Sequence, residues 1–146
     1  MNRRDVSKTI LGTLLAGSGR VLSQSAPVQA VRVGELAQLN QVWADLEFPF
    51  AGQPCLLVRV PKPQAENPRF LRVGQRVYLT AYSRVCTHLG CIVPLPDQQQ
   101  NMECGCHGSR FKADGSLQAG PASQPLRAIR LELREGAVWA VGWLDS

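Results

Sequence analysis

Apolar and charged residues alternate strictly near the C-terminal end of the chain. In IRLELR (residues 129–134), Ile129, Leu131 and Leu133 are separated by Arg130 and Glu132. A period of two places successive side chains on opposite faces, which predicts a strand with one buried face. The Glu-Gly pair that follows is a turn signal, and AVWAVGW (137–143) is a second run of strand type. The pattern therefore predicts a β-hairpin.

Two more runs have the composition of buried strands. PCLLVRVP (54–61) and RVYLTAYS (76–83) are apolar and rich in β-branched or aromatic residues. The proline-rich segment PKPQAENP (61–68) lies between them, and ADG (113–115) marks a tight turn. After residue 30 no segment shows helical periodicity. For a chain of 146 residues, with 10 prolines and 13 glycines spread along it, we expect one all-β domain of small antiparallel sheets.

The first 30 residues differ in character from the rest. Arg3 and Arg4 precede a mostly apolar or small run, TILGTLLAG (9–17), and VQA (28–30) is typical of a signal-peptide cleavage site. The paired arginines resemble a twin-arginine export signal, although Val6 and Ser7 stand where that signal usually has a bulky apolar pair. We expect residues 1–30 to be a twin-arginine-like export signal or a short N-terminal anchor, followed by a folded domain over residues 31–146.

Length argues against a membrane-spanning helix in this segment. Only 11 residues lie between Lys8 and Arg20, whereas a spanning helix needs about 20 apolar residues. An interfacial or uncleaved anchor and an ordinary amphipathic helix are the alternatives to export. We expect an exported, membrane-associated protein on the periplasmic side of the bacterial cytoplasmic membrane, soluble or peripherally attached.

The charge distribution argues against a nucleic-acid partner. The formal net charge is +5, from 16 basic and 11 acidic residues. Four basic residues and one acidic residue fall in the first 30 positions, which leaves 12 basic and 10 acidic residues in the remainder. A net charge of +2 on the domain is too small for the basic surface that nucleic-acid binding requires.

Four of the five cysteines and both histidines lie in two short stretches, CTHLGC (86–91) and CGCHGS (104–109). A tetrahedral zinc site would use four of these six groups, and the two remaining cysteines could form a disulfide in an exported protein. The alternative is a two-iron cluster. Two tetrahedral irons bridged by two sulfides leave four positions for protein ligands, which two cysteines and two histidines can fill.

CTHLGC, followed by CGCHGSRF and then GPASQPL, resembles a Rieske [2Fe-2S] protein of the cytochrome bc-complex kind. The resemblance covers residues 73–143 and implies a Rieske domain over residues 31–146, with one [2Fe-2S] cluster on a two-loop subdomain. It implies four cluster ligands, two cysteines on one iron and two histidines on the other: Cys86, Cys104, His88 and His107. Cys91 and Cys106 match the disulfide that joins the two loops in this family, and Pro121 matches a proline-bearing loop that covers the cluster.

The sequence departs from the family pattern at two positions beside the cluster. Gly105 stands where proline is most frequent in the family. High-potential members carry a serine and, two residues later, a tyrosine, whose hydroxyls donate hydrogen bonds to cluster sulfur. This chain keeps Ser109 but has Phe111, which has no hydroxyl. Leu89, at the expected tip of the first loop, either shields the cluster or forms an apolar docking rim.

The resemblance implies a one-electron carrier, with His88 and His107 as proton-coupled redox ligands. Oxidation of the iron makes the bound imidazoles more acidic, so we expect the reduction potential to fall as pH rises. The favoured function is the iron-sulfur subunit of a quinol–cytochrome c oxidoreductase, with cytochrome b/c-type subunits and quinol as partners. The alternative is the small Rieske subunit of an exported molybdenum oxidase such as arsenite oxidase, with a molybdopterin subunit as partner. A zinc-stabilised structural domain is the third hypothesis.

Cys55 is the odd cysteine and precedes an apolar run, which favours a buried free thiol over a link to a partner chain. The three tryptophans, Trp43, Trp139 and Trp143, are expected to serve in packing rather than in an electron relay.

Phe111→Tyr is expected to raise the reduction potential. Hydrogen bonds to cluster sulfur withdraw electron density, so the native potential should lie within the Rieske range of about −150 to +300 mV but below that of members with both hydroxyls. Protein-film voltammetry on the two proteins measures the difference, and an unchanged potential would contradict this account of Phe111.

Overall fold

The computed structural model describes residues 27–145, so the segment predicted to be an export signal or anchor lies almost entirely outside the described residues. In this described part of the chain, ten strands form three antiparallel sheets: β1 (Val31–Glu35), β2 (Asp45–Phe50), β3 (Gln53–Val60), β4 (Leu71–Val73), β5 (Val77–Ser83), β6 (Asn101–Glu103), β7 (Arg110–Lys112), β8 (Leu117–Ala119), β9 (Ile129–Arg134) and β10 (Ala137–Trp143). The helical content of the described residues is one 3-10 turn, Leu36–Gln38. Within residues 27–145, no helix has the length and apolar character needed to cross a membrane. The predicted all-β fold is confirmed.

The first sheet has the order β1-β10-β9 and contains the predicted C-terminal hairpin. β9 and β10 pair from Ala137 opposite Arg134 to Trp143 opposite Ile129. The intervening residues, Glu135 and Gly136, have φ values of 49° and 78°. Two consecutive positive φ values define the tight hairpin turn whose twist matches that of the strands, so the turn signal was read correctly.

The second sheet has the order β2-β3-β5-β4. Its central strands β3 and β5 are the two apolar runs predicted from sequence, and each begins within one residue of its predicted start. Leu57 and Leu79 are fully buried in the core between the first and second sheets. β2 was not predicted, although the alternation of Leu46, Phe48 and Phe50 with polar residues or proline carries the same period of two.

The third sheet, β6-β7-β8, forms with its adjoining loops a separate subdomain over residues 84–126. Its three strands have three residues each and were not predicted, because so short a run offers no periodicity to read. A second hydrophobic core, which contains Tyr82, Met102 and Phe111, lies between this subdomain and the second sheet.

Tyr82 joins the subdomain to the second sheet by a buried hydrogen bond. It lies on β5, is fully buried, and its hydroxyl donates to the Ala113 carbonyl at 2.6 Å. Burial, with the carboxylates of Asp114 and Asp45, raises the pKa of the Tyr82 hydroxyl, so the group stays protonated and remains a donor.

Tyr82→Phe is expected to lower the free energy of unfolding by about 1–3 kcal/mol, because it leaves the buried Ala113 carbonyl without its donor. Tyr78→Phe is the matched control on the same strand, since no hydrogen bond from the Tyr78 hydroxyl is found within residues 27–145. Urea denaturation compares the two variants, and equal losses of stability would contradict the role assigned to the Tyr82 hydroxyl.

Candidate metal centre

The first Cys/His stretch forms a closed loop. Its ends are joined by a hydrogen bond from the Cys86 N–H to the Cys91 carbonyl at 2.7 Å, and the Gly90 N–H donates to the Cys86 carbonyl at 2.9 Å. Gly90 has φ +80°, a conformation that residues with a Cβ rarely adopt. The loop is fastened to the fold by pairing between Val85 and Ile92.

The second stretch repeats these backbone contacts. The Cys104 N–H donates to the Ser109 carbonyl at 2.8 Å, and the Gly108 N–H donates to the Cys104 carbonyl at 2.9 Å. Gly108 has φ +78°. β6 ends at Glu103 and β7 begins at Arg110, so the loop is fixed at both ends by the third sheet. The two stretches are therefore one loop geometry used twice.

A disulfide joins the two loops, as the family resemblance implied. Cys91 and Cys106 are bonded, with a Cα–Cα distance of 6.5 Å. The sulfur atoms of Cys91, Cys106 and Cys104 lie within 4.8 Å of one another, a spacing that a metal ion could accept. Two of these sulfurs are already in the disulfide, however, and the ligand form of cysteine is the thiolate. This group is therefore not a three-thiolate metal site.

Cys86 and Cys104 are free thiols and are buried on the inner side of the paired loops. Burial raises the pKa of Cys86, and the hydrogen bond and charge of Cys104 act in the same direction. The backbone N–H of His88 and the hydroxyl of Ser109 hydrogen-bond the Cys86 sulfur and oppose this shift. Cys86 and Cys104 are therefore near enough for one thiol to affect the protonation of the other.

The two histidines meet beside these thiols. The ring centroids of His88 and His107 are 4.8 Å apart and the rings are nearly perpendicular, at 82°. His88 is half-buried, and its Nδ1 is buried with no hydrogen-bond partner in the described part of the chain. An imidazole nitrogen without a partner is costly to bury, and a metal ion is one group that satisfies it. His107 is exposed.

This donor set fits a [2Fe-2S] cluster of mixed ligation. Two free buried thiols lie together, two imidazoles lie together, and the disulfide holds the loops that carry them. Two thiolates on one iron and two imidazoles on the other is the ligation that distinguishes such a cluster from the all-cysteine type.

Ser109 connects the second loop to a third loop, residues 120–126. Ser109 is fully buried, and its Oγ accepts the Ala122 N–H at 2.9 Å. The first loop is tied to the same segment by Thr87, whose hydroxyl donates to the Gln124 carbonyl at 2.7 Å. Sequence reasoning singled out Ser109 but missed Thr87, because its partner is 37 residues away and no local pattern links them. Pro121, on the same loop, is exposed.

Phe111 is fully buried on β7, where it pairs with Met102 of β6 and Leu117 of β8. The packing role is therefore observed, while the effect of its missing hydroxyl stays a prediction. Gly105 is exposed, and a Cβ there would meet no atom within 4 Å, so local crowding does not demand glycine at this position.

The outer face of the first loop is apolar. Leu89 is 67% exposed and Ile92 is 51% exposed, which are high values for side chains of this kind. Leu89 therefore presents most of its surface to solvent beside the histidines, as a docking rim would.

Cys55 is a buried free thiol, as predicted. Its sulfur donates to the Gln53 carbonyl at 3.4 Å, and burial raises its pKa to about 11, so it stays protonated near neutral pH. The three tryptophans are packing residues: Trp143 contacts Phe50 edge to face, Trp139 lies beneath the Arg134 guanidinium, and Trp43 packs against the second core.

Comparison with known proteins places this geometry in a family. Residues 30–130 match the Rieske [2Fe-2S] domain. Iron-sulfur subunit 2 of the cytochrome b6-f complex of Trichormus variabilis is 39% identical over 84 residues, which are 56% of this chain and 47% of that protein. The corresponding subunit of Gloeobacter violaceus is 43% identical over 62 residues, 42% of this chain and 33% of that protein. The matches span about half or less of the length of these relatives.

The fold agrees with this match. The crystal structure of the plasma membrane Rieske protein PetC3 of Synechocystis aligns with a TM-score of 0.55 and 26% identity, covering 75% of this chain and 97% of that one. The family match covers more than half of the chain and includes both cysteine-histidine loops. The chain belongs to the Rieske [2Fe-2S] domain family, whose domain binds one [2Fe-2S] cluster.

Proposed function

We propose that this protein is a one-electron carrier and the iron-sulfur subunit of a quinol–cytochrome c oxidoreductase of the cytochrome bc type. The observation that carries the proposal is the pairing of two buried free thiols and two adjacent imidazoles on loops joined by a disulfide, in a chain of the Rieske family. The related cytochrome b6-f iron-sulfur subunits support a complex of this kind and favour it over the arsenite-oxidase alternative.

The proposed ligands are the four residues expected from the sequence. Cys86 and Cys104 would hold the inner iron, because their sulfurs lie together in the buried part of the site. His88 and His107 would hold the outer iron, and the buried, unpartnered Nδ1 of His88 is the atom we assign to it. The bound cluster supplies reversible one-electron transfer at a potential set by its ligands and hydrogen bonds.

The residues of the chain set the conditions for that transfer. His107 is exposed and His88 half-buried, so the histidine side of the site is the side that a partner can reach. Leu89 offers an apolar contact beside it. The disulfide and the closed loop backbones hold the donors in place before any partner arrives, which limits rearrangement during electron transfer.

Quinol is the proposed electron donor. His107, with its exposed ring nitrogen deprotonated, would accept a hydrogen bond and then a proton from the quinol hydroxyl, while Leu89 would contact the apolar part of the molecule. Export by the twin-arginine route is part of this proposal, because that route carries folded proteins and would deliver the domain with its cofactor. The paired arginines at positions 3 and 4 are its support.

Metal and sulfide analysis tests the cofactor assignment. The purified protein should contain about two irons and two acid-labile sulfides per chain, and the reduced protein should give a rhombic electron paramagnetic resonance signal. Cys104→Ala should lose the cluster, whereas Cys55→Ala, which removes another buried free cysteine, should keep it. Equimolar zinc without sulfide would instead support the structural zinc domain.

Co-purification from native membranes tests the proposed complex. The tagged protein should carry b-type haem with it, and addition of a quinol should reduce its cluster. Molybdenum in place of haem would support the molybdenum-oxidase alternative.

Ser109→Ala is expected to lower the reduction potential, because Ser109 carries a buried hydroxyl at the end of the second loop and hydrogen bonds to cluster sulfur raise the potential. Ser116→Ala is the matched control, since the Ser116 hydroxyl donates instead to the carboxylate of Asp114 in the β7–β8 turn. Voltammetry compares the three proteins, and equal potentials for the wild type and Ser109→Ala would show that this hydroxyl does not tune the cluster.

A further inference from the structure

Arg69 makes a long-range contact with the loop that covers the metal centre. It follows the proline-rich segment, and its Nη1 donates to the Leu126 carbonyl at 2.9 Å, across 57 residues of sequence. Leu126 is fully buried and ends the third loop, residues 120–126. The Leu126 N–H donates to the Gly115 carbonyl at 2.9 Å, so both backbone groups of Leu126 are held.

The Arg69 guanidinium lies in a narrow space beside Gly115 and the Tyr82 ring. A Cβ at Gly115 would lie 2.7 Å from Arg69 Nη2 and 2.8 Å from the Tyr82 ring, and Gly115 has φ +83°. Within residues 27–145, Nη2 is buried without a hydrogen-bond partner. Burial lowers the pKa of Arg69, and the Asp114 carboxylate opposes the shift.

The buried position of the Arg69 guanidinium lowers the stability of the fold. A buried guanidinium with an unpaired donor costs stability that an apolar side chain of similar length would avoid. What an apolar side chain could not do is fix the position of the Leu126 carbonyl by a charge-assisted hydrogen bond.

The third loop is anchored at every second residue between Leu126 and the metal centre. The Gln124 carbonyl accepts the Thr87 hydroxyl, and the Ala122 N–H donates to Ser109 Oγ at 2.9 Å. The Ala122 N–H occupies an acceptor site of the Ser109 hydroxyl, and this fixes the position of Ser109 at the end of the second loop.

We propose that Arg69 is a positioning residue for the metal centre. By holding Leu126 it fixes the third loop, which keeps its hydrogen bonds to Thr87 and Ser109, so that the Ser109 hydroxyl stays in place beside the metal centre. The inference rests on the proposed function, because the potential it tunes is that of the proposed cluster.

Hydrogen exchange and voltammetry on Arg69→Met test the proposal. The Ala122 amide should exchange at least about tenfold faster than in the wild type, as expected when a hydrogen bond to a charged group is lost. The potential should fall by part of the shift caused by Ser109→Ala. Arg69→Lys, which keeps a charged donor on a long side chain, should restore most of both values. Arg72→Met is the control, because the Arg72 side chain donates only locally, to the Gly74 carbonyl.

A double-mutant cycle separates positioning from a general loss of stability. In a Ser109→Ala background Arg69 has no hydroxyl to act through, so adding Arg69→Met should leave the potential unchanged. An equal fall in potential with or without Ser109 would overturn the proposal. So would wild-type exchange at Ala122 and a wild-type potential in Arg69→Met.

A failure of Arg69→Met to fold, or of the protein to contain a cluster, is resolved by further measurements. If Arg69→Met does not fold, Arg69→Gln decides by the same readouts, because its amide is too short to reach the Leu126 carbonyl. A wild-type protein without iron and sulfide would refute the proposed function, whereas the exchange rate at Ala122 would still report whether Arg69 holds the third loop.

Discussion

The disulfide between Cys91 and Cys106 is the constraint on which the metal centre depends. Each loop by itself carries one free thiol and one imidazole, which are too few donors for the two irons of the cluster. Joining the loops places the buried thiols of Cys86 and Cys104 in one site and the two imidazole centroids 4.8 Å apart. Each loop is closed by its own backbone hydrogen bonds, so the disulfide connects two closed loops and holds their thiols and imidazoles near one another.

Hydrogen bonds from the rest of the fold hold these loops in place. Tyr82 fastens the subdomain to the second sheet through the Ala113 carbonyl. The third loop reaches both cluster loops, through Thr87 in one and Ser109 in the other, and Arg69 holds its far end. These contacts are hydrogen bonds between groups far apart in sequence, and they hold the third loop against both cysteine-histidine loops.

The hydrophobic pattern located only those strands that are long enough to show a readable run. β3, β5, β9 and β10 were predicted because buried or half-buried strands of six to eight residues leave a readable run. β2 carried the same signal in Leu46, Phe48 and Phe50 and was overlooked. The three strands of the third sheet could not be predicted from the sequence, because their pairing is decided by the loops they flank and not by their own composition.

Residue identity and spacing were enough to predict the donor types, their grouping in two short stretches and, through the family resemblance, the disulfide and the class of cofactor. Those inferences depend on residue identity and short spacing, which a linear chain displays directly. Only the folded chain shows that the Nδ1 of His88 is buried. It also shows that Ala122 hydrogen-bonds the Ser109 hydroxyl and that the Arg69 guanidinium donates to the Leu126 carbonyl. Such contacts join residues 13 to 57 positions apart, and hydrogen-bond direction at that separation is set by packing rather than by local pattern.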